Sequence, residues 1–392
     1  MNRVIVGLSG GVDSSVAALI LKKKGYEVIG IYLKNNSQNS FCDWEEESIS
    51  ALMVSQQLGI PFYIFDITNY YKKIIFDYTI NEYIGGKTPN PDVLCNNKIK
   101  FKIFIKKSVI LKADYIATGH YVRKKKTYLA GKTIYKLFPA LDNKKDQSYF
   151  LCNLNQTQIK KSLFPLGKLN KEKVRKIAEA AKLINAKRKD SQGICFLGKI
   201  NLSTVIKKKI KNKLGKIIII NKNCKVYKNK ILYGRSTLEK LDILSQKINY
   251  RPKYGKIIGY HKGVSYFTKG QRKGLKIGGL SKPIFVIEKD LKQNILYVGL
   301  GNHHPGLFNS VIFIKTENIN WIYKKYKNLI DKKNPFKVKA KIRSRQRFQL
   351  ASLYNIKQGI YIYFNSPQRA LSAGQYIVLY FRNELIGSCL YN

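Results

Sequence analysis

Short β-branched runs alternate with longer helical segments in the first half of the chain, and this alternation constrains the fold most. The strand-like runs V-I-V-G, Y-E-V-I-G-I-Y-L and P-F-Y-I-F-D are separated by S-S-V-A-A-L-I-L-K-K-K and S-I-S-A-L-M-V-S-Q-Q-L. This β-α-β pattern is typical of a doubly wound α/β domain with a parallel sheet. A later run, A-D-Y-I-A-T-G-H, predicts another strand. We expect the loops after the first and the later strand to converge at the carboxyl edge of the sheet.

The sequence pattern changes twice along the rest of the chain. Lys, Ile and Asn dominate between about residues 199 and 259, as in K-K-K-I-K-N-K-L-G. Short strands with turns between them, such as N-I-L-Y-V-G and I-Y-I-Y-F, follow and favour a β-barrel or a sandwich. We therefore predict an α/β domain over residues 1–200, a small basic central domain over 201–279, and an all-β domain over 280–392.

The chain is strongly basic, with 73 Lys plus Arg against 23 Asp plus Glu and a formal net charge of +50. Such a field attracts polyanions such as RNA. Abundant Lys, Asn, Ile and Tyr are also typical of proteins encoded by AT-rich DNA. The charge therefore supports an RNA partner only where basic residues lie beside a reactive site.

The cysteines are scattered, with no C-x-x-C pair and no Cys/His spacing of the zinc type, so structural zinc is not expected. The six are Cys42, Cys95, Cys152, Cys195, Cys224 and Cys389. The sequence starts almost directly with the strand R-V-I-V-G, and no apolar run approaches the length of a membrane span. We predict a cytoplasmic protein without membrane association, in a reducing compartment where thiols are reactive.

The first strand runs into a glycine-rich loop that a helix follows at once. The loop residues are Gly7, Leu8, Ser9, Gly10, Gly11, Val12, Asp13 and Ser14. Its glycines allow a tight bend with amides facing an anion, and the helix start adds its positive dipole. The spacing is neither the Walker type nor G-x-G-x-x-G. S-G-G-x-D-S resembles the loop of enzymes that cleave ATP between the α and β phosphates, which activates a carbonyl oxygen for replacement by sulfur or nitrogen.

Two cysteines lie in loops with polar neighbours. Asp92 precedes Cys95 by three residues in N-P-D-V-L-C-N, a spacing that lets both side chains face one site. Cys195 lies in D-S-Q-G-I-C-F-L, after the basic stretch K-R-K-D, and nearby cations favour the nucleophilic thiolate. Each cysteine alone is compatible with a buried apolar residue. The pair in a chain with a phosphate loop favours catalysis.

Together these segments resemble the tRNA-specific 2-thiouridylases, which thiolate the wobble uridine of tRNA. The resemblance covers nearly the whole chain and includes S-G-G-V-D-S-S, T-P-N-P-D-V-L-C-N, A-D-Y-I-A-T-G-H-Y-V-R, N-K-K-D-Q-S-Y-F-L, K-D-S-Q-G-I-C-F-L-G and Q-R-K-G-L-K-I-G-G. It implies an N-terminal PP-loop domain of the adenine nucleotide alpha hydrolase-like type, a small central domain and a C-terminal β-barrel. It also implies two partners: tRNA for Lys, Glu or Gln, and a persulfide donor protein, either a cysteine desulfurase or a sulfur relay carrier.

The resemblance implies roles for individual residues. ATP, with Mg²⁺ bound through its phosphates and no other metal, would lie on the loop Gly7 to Ser14, with Leu33 and Gly119 lining the nucleotide. Asn90, Pro91 and Asp92 would contact the target base, with Asp92 as the acid/base. Cys95 would be the nucleophile, Cys195 would carry the sulfur as a persulfide, and the two would form a disulfide during the cycle. The implied tRNA contacts are His120, Lys145, Asp146, Gln147, Arg343, Ser344 and Gln375.

Two segments depart from the family pattern. The family's K-x-R-Y-R-Q reads K-I-R-S-R-Q here, so Ser344 lacks a ring that could stack on a nucleotide. The stretch from about residue 224 to 256 is longer and dissimilar, and a solvated low-complexity insertion, a product of AT bias and an added RNA grip remain alternatives.

Two other functions remain open at this point. An amidating ligase of the argininosuccinate or GMP synthetase kind uses the same loop but has no need for paired thiols. A non-catalytic RNA-binding protein would keep the fold and the charge, but it would not explain both cysteine motifs.

Overall fold

The computed structural model describes residues 1–35, 44–129, 131–190, 213–227, 236–330 and 334–392. Its helices are α1 (Val12–Lys23), α2 (Trp44–Gln57), α3 (Thr68–Tyr71), α4 (Asp77–Ile84), α5 (Pro91–Cys95), α6 (Phe101–Ile110), α7 (Gln156–Lys161), α8 (Lys171–Ala180) and α9 (Thr237–Ser245). Its strands are β1 (Arg3–Gly7), β2 (Glu27–Lys34), β3 (Phe62–Asp66), β4 (Tyr115–Ala117), β5 (Val122–Leu129), β6 (Lys132–Pro139), β7 (Ser162–Leu163), β8 (Gly215–Ile220), β9 (Gly255–His261), β10 (Ile284–Asp290), β11 (Ile295–Leu300), β12 (Phe308–Lys315), β13 (Ile319–Trp321), β14 (Phe336–Lys341), β15 (Gln349–Ile356), β16 (Gly359–Arg369), β17 (Tyr376–Phe381) and β18 (Glu384–Leu390). No helix within these ranges is long and apolar enough to cross a membrane.

The N-terminal part contains a five-stranded parallel sheet in the order β3-β2-β1-β4-β7. Successive residues of β1 lie on opposite faces of the sheet. Val4 packs in a cluster with Val16 of α1, and Ile5 packs in a second cluster with Phe104 of α6. Side chains alternate along a strand, so a strand with buried residues on both faces requires helices on both sides. The predicted doubly wound sheet is confirmed.

The order of this sheet reverses at β1, which has β2 on one side and β4 on the other. In open parallel sheets, ligands bind in the crevice beyond the carboxyl ends of the strands at such a switch point. The loops after β1 and β4 therefore border the predicted nucleotide site.

The central part forms a four-stranded sheet in the order β10-β11-β8-β9, with apolar clusters on both faces. The predicted boundary between residues 279 and 280 falls inside this unit. Strands β10 and β11, which we expected in the C-terminal domain, pair with each other, and β11 pairs with β8. Short strands look alike in any domain, and β8, the parallel partner of β11, precedes β11 by about 80 residues in sequence.

The C-terminal part is a nine-stranded antiparallel sheet in the order β12-β16-β15-β14-β17-β18-β6-β5, with β13 paired to β18. Inward-facing side chains such as Ile312, Leu353 and Leu379 form one core. The β5–β6 hairpin comes from the N-terminal part and joins through the pair Leu385 and Leu137. Two domains thus share one sheet.

The unusual stretch near residues 224–256 contains a folded helix. Helix α9 begins with a capping box in which Ser236 and Glu239 exchange hydrogen bonds. Its buried Leu241 packs against Val311 and Tyr361, and the Tyr361 hydroxyl donates to Asp242 at 2.9 Å. Within residues 236–256, a solvated insertion is therefore wrong; this helix braces the C-terminal sheet.

Candidate active site

The loop after β1 is anchored and sharply bent. The Leu8 amide donates to the Ile31 carbonyl at 2.8 Å, which fixes the loop to β2. Gly10 has φ +69°, and a Cβ there would lie 2.4 Å from the Glu47 carbonyl oxygen. Only glycine is accommodated at this position without a shift of backbone. A bend of this kind brings the chain directly into the first turn of α1.

Hydrogen bonds from side chains engage the carbonyls of Gly10 and Gly11 in this loop. Gly10 O accepts from Asn185 Nδ2 at 2.9 Å and from Ser50 Oγ at 3.0 Å. Gly11 O accepts from Ser14 Oγ at 2.9 Å, and Ser14 Oγ in turn accepts from the Ser9 amide at 3.2 Å. The first amides of a helix have no intrahelical acceptor. The residues present therefore fit a phosphate group.

The loop after β4 meets this loop as predicted. A Cβ on Gly119 would lie 2.9 Å from both the Asp13 carbonyl carbon and the Ser14 amide nitrogen. Leu33 is buried in the core near the end of β2, with 4% of its surface exposed. The predicted ATP residues thus gather at the carboxyl edge of the sheet, and their contact with a nucleotide stays a prediction.

A cluster of charged side chains surrounds Asp13, and sequence reasoning missed most of it. Asp13 Oδ1 accepts from Tyr121 Oη and from Lys171 Nζ, each at 2.7 Å. Lys171 also contacts Asp190 at 2.7 Å. Asp190 contacts Lys145 at 2.6 Å and Arg175 at 3.1 Å. We call these six residues the Asp13–Asp190 cluster.

Two members of the cluster, Asp190 and Tyr121, have shifted pKa values. Burial alone would raise the pKa of Asp190, but hydrogen bonds from Lys145 and Lys171 outweigh it and lower that pKa to about 2. Burial and the Asp13 carboxylate raise the pKa of Tyr121 well above its ordinary value. Tyr121 therefore stays protonated at neutral pH and donates its hydrogen bond to Asp13.

The segment carrying Asp92 and Cys95 is a short helix with a complete N-cap. Asn90 Oδ1 accepts from the Val93 amide at 3.3 Å, and Pro91 occupies the first helical position. Cys95 ends α5 with 1% of its surface exposed, and a π-helical turn, Asn96–Lys100, follows it. Such turns are frequent at functional sites. The three-residue spacing lets Asp92 and Cys95 share a face of the helix.

The loop before α5 is held by the two other domains. The Thr88 amide donates to the Ala373 carbonyl at 2.7 Å, and Thr88 Oγ1 lies 3.2 Å from Thr268 Oγ1. Lys289 Nζ donates to the Gly86 carbonyl. The C-terminal and central sheets therefore both position the chain that enters α5.

The second predicted catalytic cysteine, Cys195, lies outside the described residues, and so does Cys42. The persulfide role of Cys195 and its pairing with Cys95 stay predictions. Among the described residues, no group of three or more His, Cys, Asp or Glu side chains is arranged to hold a metal ion.

Three of the predicted tRNA contacts follow one another in sequence and bind other parts of the protein. Lys145 belongs to the Asp13–Asp190 cluster. The Asp146 side chain is 3% exposed and binds Lys341 at 2.8 Å. Gln147 Oε1 accepts from the Tyr121 amide at 3.0 Å. In this conformation these side chains link the N-terminal domain to itself and to β14, and a contact with tRNA stays a prediction.

The other predicted tRNA residues differ in exposure. His120 Nδ1 lies 2.7 Å from Thr118 Oγ1, and burial followed by the Lys100 charge lowers the His120 pKa to about 3. Arg343 is exposed and Ser344 is partly exposed. Gln375 Oε1 is buried without a hydrogen-bond partner in the described structure. Gln375 follows Gly374, where an added Cβ would lie 3.0 Å from the Thr88 carbonyl carbon and from the Pro89 nitrogen. The Gln375 backbone therefore lies near the loop that leads to the predicted target-base residues.

Three family models match consecutive parts of the chain. Residues 2–199 match a tRNA methyl transferase HUP domain, residues 245–300 a tRNA methyl transferase PRC-barrel domain, and residues 312–390 an aminomethyltransferase beta-barrel domain. The HUP-domain match agrees with the nucleotide-binding fold described above.

Curated relatives match the whole chain. The tRNA-specific 2-thiouridylase MnmA of Karelsulcia muelleri is 57% identical over 388 residues, 99% of this chain and 98% of the relative. The enzyme of the same name from Flavobacterium johnsoniae is 48% identical, with 99% of each chain covered. That of Shouchella clausii is 41% identical over 98% of this chain and 95% of the relative. The chain belongs to the family of tRNA-specific 2-thiouridylases.

Proposed function

We propose that this chain uses ATP to replace the C2 oxygen of the wobble uridine in tRNA by sulfur. The observation that carries the proposal is the phosphate-binding loop at the switch point of the sheet, in a chain 57% identical to a 2-thiouridylase over its whole length. As in the relatives' name, tRNA is the substrate. The tRNAs for Lys, Glu and Gln are the proposed targets, and the cytoplasm is the proposed location.

The first step activates the uridine. The loop from Gly7 to Ser14 would hold the phosphates of ATP, and Mg²⁺ would be bound by these phosphates. The loop that contains Gly119 would line the nucleotide. The uridine, flipped out of its stack against Asn90 and Pro91, attacks the α-phosphorus through O2. The bond from this phosphorus to the bridging oxygen breaks, and its electron pair leaves with pyrophosphate. Asp92 accepts the N3 proton.

The second step delivers sulfur. A persulfide donor protein loads a sulfane sulfur on Cys195, and the terminal sulfur attacks C2 as AMP leaves. The Cys95 thiolate then attacks the Cys195 sulfur; the S–S bond breaks, its electron pair stays on the sulfur bound to C2, Asp92 returns the N3 proton, and 2-thiouridine leaves with a Cys95–Cys195 disulfide behind it. Two electrons from the thiols reduce the sulfane sulfur, and a dithiol reductant restores the pair. In the alternative order, Cys95 attacks first and hydrosulfide is the species that attacks C2.

The test measures AMP and pyrophosphate with and without tRNA, and 2-thiouridine by mass spectrometry. We expect tRNA-dependent release of both products. Cys95→Ser should accept labelled persulfide sulfur and adenylate tRNA but make no thiouridine, whereas Cys195→Ser should not accept the label. Cys224→Ser, which changes a half-buried cysteine without an assigned role, is the matched control. Thiolation by Cys195→Ser with protein-delivered sulfur would show that the assigned roles are wrong.

A further inference from the structure

We propose that Lys171 is a ligand of the ATP phosphates that stabilises the departing pyrophosphate, a role that rests on the proposed function. The lysine Nζ lies between Asp13 Oδ1 and Asp190 Oδ1, 2.7 Å from each. Its side chain is 12% exposed. Asp13 is the second residue of α1, so one carboxylate separates this ammonium from the helix start that cradles phosphate.

The cations of the cluster are matched by neighbouring carboxylates. Lys145, Lys171 and Arg175 face Asp13 and Asp190, and Asp142 Oδ2 accepts from the Lys171 amide at 3.1 Å. The attraction for an anionic ligand therefore comes from the positive end of the α1 dipole and from the Lys171 ammonium itself.

Both carboxylates in contact with Lys171 keep other partners when its ammonium moves away. Lys145 and Arg175 continue to neutralise Asp190 when Lys171 moves. Asp13 keeps its hydrogen bond from the Tyr121 hydroxyl. The ammonium sits on a flexible four-carbon stem, so it can turn towards a bound phosphate without a change in the backbone.

The position of Lys171 in α8 points the same way. It is the first residue of the helix, capped by Asn170 Oδ1, which accepts from the Lys173 amide at 2.8 Å. A cation in the first turn of a helix is opposed by the dipole. The contacts with Asp13 and Asp190 offset this cost. They hold the ammonium beside the phosphate loop, where it can bind a phosphate group.

The proposed role is electrostatic. Cleavage of the bond between the α-phosphorus and the bridging oxygen places the electron pair on pyrophosphate, and a preorganised cation stabilises this developing charge. Lys171 transfers no proton in this step. Its effect is therefore expected on pyrophosphate affinity and on kcat for AMP formation, with tRNA affinity unchanged.

The experiment measures binding of magnesium pyrophosphate by titration calorimetry and tRNA-dependent AMP formation. Lys171→Met should weaken pyrophosphate binding about ten- to hundredfold, the loss of one charge-assisted hydrogen bond. It should lower kcat about a hundredfold, the effect of removing one preorganised donor. Lys171→Arg, which keeps the charge, should retain most of the binding. Lys173→Met, an exposed lysine of the same helix, is the control and should match the wild type.

The outcomes separate this role from a structural one and from the proposed function. Unchanged pyrophosphate affinity in a folded Lys171→Met protein overturns the inference, even if its melting temperature falls. If Lys171→Met does not fold, Lys171→Gln replaces it, since the amide can still bond both carboxylates, and normal pyrophosphate binding by that variant overturns the inference equally. A wild type that binds pyrophosphate but forms no AMP with tRNA contradicts the proposed function alone.

Discussion

Asp13 lies where the fold and the proposed phosphate site meet. A carboxylate in the first turn of α1 is favoured by the helix dipole. The same carboxylate accepts hydrogen bonds from Tyr121 and Lys171, which lie in two distant segments of the chain. Removing it frees both donors at the place where phosphate is expected and changes the position of each.

Asp13→Ala should abolish conversion of ATP to AMP and leave the fold intact. The helix loses a dipole interaction worth only about 0.3–1 kcal/mol, whereas the phosphate site loses the group that orients Lys171 and Tyr121. Pyrophosphate release in the presence of tRNA is the measurement, with circular dichroism to verify folding. Glu172→Ala, which removes an exposed carboxylate from the first turn of α8, is the control. Normal pyrophosphate release by Asp13→Ala would remove this residue from the mechanism.

His120 should make stability depend on pH. Its pKa in the folded chain, about 3, lies below the ordinary value of 6.5, so the unfolded chain binds more protons between these values. Stability should therefore rise with pH through that window, by up to about 1.4 kcal/mol per unit, and be complete above pH 6.5. Urea unfolding of His120→Gln should show a flatter profile than the wild type. His303→Gln, at an exposed turn, is the control; parallel profiles for His120→Gln and the wild type would contradict the expectation.

At the residue scale, the sequence predicts those site residues whose chemistry is local. The glycines, Asp13 and the Asn90 cap follow from a strand, a bend and a helix start within a few positions. Lys171 and Tyr121 lie 158 and 108 positions from Asp13, and their contacts arise only from packing. A lysine at a helix start against the dipole was the one local signal for Lys171.

At the element scale, the site depends on the contact between the loops after β1 and β4. Gly119 permits this contact because it has no Cβ: the nearest atoms, at 2.9 Å, are backbone atoms of Asp13 and Ser14. Backbone cannot move aside as a flexible side chain can. The separation of the two loops is therefore fixed by one residue.

Gly119→Ala should weaken ATP binding while most of the fold survives. The added methyl group must push the β4 loop away from the first turn of α1, which widens the nucleotide site and displaces His120 and Tyr121. The KM for ATP and the affinity for pyrophosphate are the measurements. Gly278→Ala is the matched control, because a Cβ there meets no atom within 4 Å. Equal ATP affinity in the two variants would show that the loop contact has no part in nucleotide binding.

The sequence predicts the type of an element where the hydrophobic periodicity is strong. It does not predict which domain a strand joins where the paired strands are far apart in sequence. The parallel strands follow from apolar runs between helical segments, and they are confirmed. The assignment of β10 and β11 to the C-terminal domain was wrong, because nothing local distinguishes a strand that joins β8 from one that joins β12. Helix α9 was not predicted, because it lies in a stretch rich in Lys and Asn. Its capping box of Ser236 and Glu239 is nevertheless a sequence signal for a helix start.

At the scale of the whole molecule, the segment from Asp142 to Ser148 connects the site with the C-terminal sheet. Lys145 faces the Asp13–Asp190 cluster, whereas the next residue, Asp146, binds Lys341 of β14. The Ser148 hydroxyl lies 2.9 Å from the hydroxyl of Tyr380 in β17. Neighbouring residues of one segment thus join two domains.

Lys341→Met should destabilise the protein by about 3–5 kcal/mol, because it leaves the buried Asp146 carboxylate without its cation. The two side chains are 8% and 3% exposed. Urea unfolding followed by tryptophan fluorescence measures the change. Lys87→Met, from the more exposed pair with Glu82, should cost at most about 1 kcal/mol. The double variant Lys341→Met with Asp146→Asn should recover part of the loss; a small effect of Lys341→Met would mean that the ion pair does not hold the domains together.

The net charge of +50 should make the affinity for tRNA depend strongly on salt concentration. If basic residues contact tRNA phosphates, binding releases counterions, and the logarithm of the affinity should fall linearly with the logarithm of salt concentration. Arg343→Gln removes one exposed cation at a predicted contact and should reduce this slope by about 1. Lys23→Gln, at the C-terminal end of α1 and so at the opposite edge of the parallel sheet, should leave the slope unchanged. Filter binding of tRNA at several salt concentrations measures all three proteins. A salt-independent affinity would mean that the charge reflects composition, and equal slopes for the two variants would remove Arg343 from the tRNA interface.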